Sequence, residues 1–300
     1  MTGAKVTAAI PATTANLGPG FDCMGLALDI HDIVTVEPGA GESDEIVIHG
    51  VGADTLPRDR SHMVLGTMRD LFENQGWKIG PMRLTCTNRI PHGQGLGSSA
   101  SAIVAGLFAG KEFAERAGHD VSGVDLLQIG SDIDGHPDNV APCLNGGLNV
   151  SWDDDGRWGV AHLNPHPSIH AILAIPSAVL STSVARGLIP EVVAHKDAVR
   201  NSARAALCIH AFTSDPSLLL PATEDFLHQR YRASAYQESY DLVQRLRAEG
   251  VPAAISGAGP AVIMFTTEDA SEPVARAIEA AAVAFEIVDA GIDLVGARLV

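Results

Sequence analysis

The chain predicts an α+β fold built in layers. Strand-like runs and helical periodicities interleave along it, without the strict βαβ alternation that builds a doubly wound sheet. Its 300 residues favour two domains or one large one. Apolar residues make up 46%, enough for a real core and too many for a disordered chain.

Lys5 to Ile10 reads as a strand, and PATTANLGPG, Pro11 to Gly20, as a polar loop punctuated by Gly and Pro. Leu26 to Val36 and Glu45 to His49 are strand-like again. Ser61 to Asn74 carries Val64, Leu65, Met68, Leu71 and Phe72 at helical spacing. Met82, Leu84 and Cys86 alternate with Arg83, Thr85 and Thr87, the period of a half-buried strand. A Gly-rich loop, Pro91 to Gly97, leads to a helix capped by Ser98 or Ser99 and carrying Ile103, Val104, Leu107 and Phe108. Ser122 reads as the cap of a helix from Val124 to about Ser131, and DGHPDNVAP, Asp134 to Pro142, as a loop. Strands follow at Gly146–Trp152 and Ala171–Ile175, then helices at Asp197–Phe212 and Tyr236–Glu249. Ala253–Ile255 and Ala261–Phe265 flank a second Gly-rich turn, SGAGP. Ser271 caps a final Ala-rich helix before a strand ending near Val300. A boundary near His162–His166 divides the chain into 1–163 and 164–300.

The net charge of −16 argues against non-specific nucleic-acid binding, which needs a basic surface. It also repels anionic ligands, so any such ligand needs local N–H groups, a metal or a few arginines. Cys23, Cys86, Cys143 and Cys208 form no C-x-x-C pair and no Cys/His cluster with zinc spacing. Reduced thiols in a cytoplasmic protein are the expectation. Met1 to Ala8 has no apolar leader core, and Pro167 to Ala185, the longest uncharged stretch with apolar character, contains Pro176 and reads as strand and loop, not as a membrane span.

Three segments carry chemistry. In PHGQGLGSSAS, Pro91 to Ser101, three alternate glycines let the backbone approach a ligand and turn N–H groups toward it. The helix that follows adds unpaired N–H groups and a positive dipole end. The loop lacks the Gly-Lys-Ser/Thr ending of a P-loop and the last glycine of the dinucleotide fingerprint. A bare Gly-rich turn is equally an ordinary tight turn; the doubled serine favours a phosphate or its metal. ATTANLGPGFD, Ala12 to Asp22, and SGAGP, Ser256 to Pro260, are each by themselves compatible with plain turns.

In this order and spacing the three segments resemble the signature motifs of the GHMP small-molecule kinases. With GHPDNVAP, STSVAR (Ser181 to Arg186) and ATEDFLHQRYR (Ala222 to Arg232), the resemblance is to the homoserine kinases within that family and covers nearly the whole chain. It implies a two-domain fold, ribosomal-protein-S5-domain-2-like in the N-terminal half and a ferredoxin-like sandwich in the C-terminal half. It implies ATP-dependent, Mg²⁺-assisted phosphorylation of the L-homoserine side-chain hydroxyl, in threonine biosynthesis, by a homodimer. ATP phosphates would lie on Pro91, His92, Gly93, Gln94, Gly95, Leu96, Gly97, Ser98, Ser99, Ala100 and Ser101, with Ser98 beside the metal. Asn16, Asp22, His136, Asp138, Arg186 and Arg232 would hold the amino acid. Asn16, Asn139 and Thr182 would stand at the reacting centre. A zwitterion needs an arginine for its carboxylate and a carboxylate for its ammonium. Phosphoryl transfer needs mainly positioning and charge neutralisation, so a strong base is not obligatory.

The chain departs from the family pattern in three places. The expected Mg²⁺ glutamate falls on Gln128 in one register and Asp132 in the other; Mg²⁺ prefers carboxylate oxygen, which favours Asp132. Asp132 is equally a solvated helix-end residue. His62 stands where the family often has an asparagine near the nucleotide, and Ser183 where a lysine is frequent. The alternatives are a GHMP kinase with another hydroxylated acceptor, such as pantoate or mevalonate, and a catalytically silent GHMP-fold binding protein.

Overall fold

A computed structural model describes residues 5–267 and 270–300. Strands β1 (Val6–Asn16) and β2 (Gly20–Pro38) form a long antiparallel pair. PATTAN is therefore strand, not loop. After a bulge at Pro11/Ala12 its residues pair with Gly25–Leu28 of β2, and a bulge tolerates the proline. The chain reverses through Asn16, Leu17 and Gly18, all at positive φ (72°, 49° and 89°).

β3 (Glu45–Gly50) runs parallel to β4 (Met82–Asn88), and the connection carries α1 (Met63–Asn74). Helices α2 (Ser98–Arg116), α3 (Leu126–Asp134) and α4 (Pro137–Asn145) follow, then the hairpin β5 (Leu148–Asp154) and β6 (Arg157–Leu163). β7 (His170–Pro176) leads to α5 (Thr182–Arg186), α6 (His195–Thr213) and the short helices α7 (Leu219–Ala222) and α8 (Gln229–Arg232). The described chain closes with α9 (Gln237–Ala248), β8 (Ala253–Ile255), β9 (Val262–Thr266), α10 (Ser271–Glu279), β10 (Phe285–Asp289) and β11 (Arg298–Leu299).

One sheet is seven-stranded, ordered β11-β1-β2-β4-β3, with β5 also paired to β2 and β6 outside it. The other is the four-stranded antiparallel β10-β7-β9-β8. The expected last strand is thus two strands in different sheets. The first sheet packs under α1–α3 through Val64, Met68, Phe72, Ile103, Leu107 and their neighbours. A second core joins the two sheets, with Leu17, Leu26 and Leu28 meeting Leu173, Phe212 and Phe265. α9 and α10 cover the remaining face of the small sheet.

Local chemistry corrects several other expectations. Gly97, in the left-handed region at φ 66°, is the N-cap of α2, and Ser98 is its first residue. The cap of α3 is Asp125, whose carboxylate accepts from Gln128 N, while the N–H of Ser122 instead donates to the carboxylate of Asp120. Ser271 is the first residue of α10 rather than its cap. Most of GHPDNVAP is helix α4: extended His136 precedes it, Pro137 occupies the first turn and Asp138 faces the positive dipole end. Pro142 inside this helix has no N–H for the Asp138 carbonyl four residues back. That carbonyl turns instead against Gly25, where a Cβ would stand 1.8 Å from it.

Candidate active site

The three motifs interlock at the junction of the two sheets. Thr13 N donates to Leu96 O, Gly257 N to Ala15 O, and Ala261 N to Gln94 O. Ser256 Oγ donates to Gly95 O (2.6 Å) and, its one proton thus committed, accepts from Thr14 Oγ1 (2.9 Å). Gly93, Gly95 and Gly97 all have positive φ, and a Cβ on Gly95 would meet Ser256 O at 2.2 Å. Glycine is thus demanded both by conformation and by close approach. The loop delivers the chain to the start of α2, an N–H-rich site for an anion.

This cradle opens on a cavity of about 430 Å³. At its far end Arg186 forms a two-pronged pair with Asp22, Nη1–Oδ2 at 2.8 Å and Nη2–Oδ1 at 2.9 Å. Arg232 is different. It is 2% exposed, lies 5.1 Å above the Phe21 ring, and its buried Nε has no hydrogen-bond partner among the described residues. Burial lowers its pKa against the opposing pull of Tyr236, Asp22 and Asp225. Phe21 also stacks on buried His228, whose Nε2 contacts Gly18 O at 2.8 Å. Asn16 braces the same turn: its Nδ2 donates to Gly257 O and its Oδ1 accepts from Asp22 N.

Between the two ends stands a charged row. His136 Nδ1 is 2.8 Å from Asp138 Oδ1 and 3.7 Å from Asp134 Oδ2. Burial alone would lower the His136 pKa, but the hydrogen bond and charge of Asp138, with Asp134 and Asp22, raise it to about 9. His136 is therefore a cation at neutral pH. Burial pushes Asp134 up to about 6 against the opposing pull of His136. Asn139 Nδ2 donates to Asp138 Oδ1, and Asn139 Oδ1 accepts from Thr13 Oγ1 at 2.8 Å.

Asn16, Asp22, His136, Asp138, Asn139, Thr182, Arg186 and Arg232 all line this cavity, as do Gly93 and Gly95–Ala100. Pro91 and Gln94 do not; Gln94 Nε2 ties the loop to Pro176 O. His92 and Ser101 face a second chamber of about 220 Å³ that shares Ser98 and Ser99 with the first. That chamber contains His62, 3% exposed, with neither ring nitrogen hydrogen-bonded to a described residue and its pKa lowered by burial.

The two residues expected to hold Mg²⁺, Asp132 and Gln128, lie away from the cavity wall. Asp132 and Gln128 line neither chamber: Gln128 Nε2 donates to Asp132, and Asp132 Oδ1 also accepts from Trp158 Nε1, on the β5–β6 side. Asp132 lies about half a helical turn before Asp134 and Gln128 nearly two turns before it, both on the other face of α3. The α3 carboxylate that does reach the cavity wall is Asp134, at the end of the helix and beside Ser98 and Ser99 in the lining. Its adjacency to Gly135 in IDGHPDN, where α3 ends, was the available signal. Ser181 of STSVAR and Gly257–Gly259 of SGAGP also line the cavity, so all the singled-out motifs reach it.

Residues 62–147 match the model of the GHMP kinases N terminal domain, and residues 203–284 that of the GHMP kinases C terminal. The chain belongs to the GHMP kinases and carries their two-domain α+β fold. Among its relatives, a protein of Streptomyces avermitilis named homoserine kinase is 46% identical over 273 residues, covering 91% of this chain and 89% of that one. A homoserine kinase of Cutibacterium acnes is 41% identical, covering 95% and 96%. The crystal structure of homoserine kinase from Cytophaga hutchinsonii superposes with a TM-score of 0.86 at 24% identity, covering 100% and 98%, a likeness of fold. Mevalonate diphosphate decarboxylase from Staphylococcus aureus shares the fold at a TM-score of 0.70 and 15% identity, covering 99% and 98%.

Proposed function

We propose that this protein is a homoserine kinase, moving the γ-phosphoryl group of ATP to the side-chain hydroxyl of L-homoserine. One observation carries the acceptor class: a buried, unpartnered Arg232 beside an Asp22–Arg186 pair, across the cavity from an N–H cradle. An α-amino acid brings one carboxylate and one ammonium. It can exchange partners with Asp22 and Arg186 and satisfy Arg232 without stranding a charge. A hydroxy acid lacking the ammonium would strip Arg186 from Asp22 and leave that carboxylate unpaired.

The Gly93–Ser99 backbone suits the phosphates, and the unpaired His62 nitrogens suit a base in the adjoining chamber. Asp134 with Ser98 and Ser99 offers the hard oxygen donors that Mg²⁺ takes, and the ion would neutralise phosphate charge there. The chain's own residues supply orientation. The His136 cation and the Arg186 and Arg232 guanidiniums hold anionic groups. Asn16, Asn139 and Thr182 align the hydroxyl with the phosphorus. As the new O–P bond forms and the bond to the ADP oxygen breaks, the hydroxyl proton leaves to a phosphate oxygen or water. The charge of −16 is thereby offset locally. A homodimer in the cytoplasm completes the reading, and light scattering measures the former.

The test is an ADP-release assay with ATP and Mg²⁺ across homoserine, threonine, serine, pantoate and mevalonate. Strong turnover is expected on homoserine. Turnover on pantoate or mevalonate with none on homoserine overturns the reading.

A further inference from the structure

Thr13 has no role in the reading above, yet three segments meet at its hydroxyl. The residue lies in β1 and is fully buried. Its Oγ1 donates to Asn139 Oδ1 at 2.8 Å, reaching from β1 to α4. A Cβ on Gly97 would stand 2.0 Å from that same Oγ1 and 2.9 Å from Asn139 Oδ1. Its backbone N–H is already committed to Leu96 O.

The direction of the side-chain bond follows from its neighbours. Asn139 Nδ2 donates to Asp138 Oδ1 at 3.1 Å, and an ionised carboxylate only accepts. Turning the amide over would set Asn139 Oδ1 against that carboxylate. The amide therefore keeps its NH2 edge toward Asp138 and the cavity, and its oxygen toward β1, where a donor must meet it. Threonine or serine supplies that donor; valine, of the same shape, does not.

We propose that Thr13 is a positioning residue of the phosphoryl-transfer site: it fixes the Asn139 amide so that its second N–H serves the cavity it lines. Gly97 is part of the same device, because any side chain there would occupy the space in which the two side chains meet. The inference rests on the placing of phosphoryl transfer beside Asn139.

Thr13→Val is expected to lower kcat by about 10- to 100-fold while the KM values for ATP and homoserine change less than about threefold. Thr13→Ser should stay within about threefold of the parent. In an Asn139→Ala background Thr13→Val should add nothing, because the two residues act as one unit. A second readout does not depend on the acceptor. The side-chain NH2 resonances of Asn139, identified by their loss in Asn139→Ala, should shift and broaden in Thr13→Val and not in Thr13→Ser. Full kcat in Thr13→Val, or a loss that multiplies with that of Asn139→Ala, overturns the proposal. Unmoved Asn139 resonances overturn it too. If the parent does not phosphorylate homoserine but the resonances move as stated, the acceptor is wrong and the positioning stands. Should Thr13→Val not fold, Thr13→Ala takes its place in each arm.

Discussion

Replacing Arg232 by methionine should stabilise the free protein and cripple it at once. The guanidinium is 2% exposed and lies over Phe21 at 5.1 Å, with no described hydrogen-bond partner for Nε. Burying a cation costs several kcal/mol, and one cation–π contact returns about 0.5–2 kcal/mol. A residue of about 1–3 kcal/mol is left uncompensated until an anion arrives. Methionine removes it, and for a chain of this size the melting temperature should rise by roughly 2–6 °C. The same change removes one partner of a buried carboxylate pair, worth about 2–5 kcal/mol, so KM for homoserine should rise at least about 30-fold. Differential scanning fluorimetry without ligand and the ADP-release assay read the two effects. A lower melting temperature with unchanged KM would refute the reasoning, because Arg232 would then be a satisfied structural ion.

Asp134→Asn should raise the Mg²⁺ needed for half-maximal rate by about tenfold or more, and Asp132→Asn, whose partners are Gln128 and Trp158, should not; a Mg²⁺ titration of both variants separates them. In the metal-free protein burial pushes Asp134 up to about 6, so protons should compete with Mg²⁺ as pH falls through 6: the Mg²⁺ needed for half-maximal rate should rise there in the parent and stay flat in Asp134→Asn. His136 has a folded pKa of about 9, above its ordinary 6.5. Its stabilising contribution is therefore complete below pH 6.5 and disappears as pH rises through 9. Melting curves of His136→Gln should lack that alkaline loss.

The parts of the fold set by side-chain periodicity were legible in the chain. The face of α1 appears as its spacing predicts, with Val64, Leu65, Met68, Leu71 and Phe72 buried. What escaped depends on partners far away in sequence. PATTAN has loop chemistry, but pairing with β2 makes it strand. GHPDNVAP has the glycine and prolines of a turn, but Pro137 stands where proline starts a helix, and Gly25 accommodates the carbonyl that Pro142 leaves free. The same dependence decided the site. The charged residues of the motifs converge because the end of β1, the Gly-rich loop and the SGAGP turn share backbone hydrogen bonds, which motif order reports. Whether Asp132 or Asp134 reaches the cavity turns on where α3 ends, and element boundaries are the least legible feature of a sequence.

The interlock of Gly95 with Ser256 and of Leu96 with Thr13 bears on when order is imposed. A free glycine loop would surrender about 1–2 kcal/mol of backbone entropy per residue on gripping a phosphate. Here that surrender happens during folding, because the second half of the chain fastens the loop before any nucleotide arrives. Nucleotide affinity is then limited less by disorder in the receptor than by desolvation of the phosphates. The corresponding cost falls on the apo fold. Weakening the small sheet, even far from the cradle, should therefore loosen nucleotide binding before it unfolds the molecule.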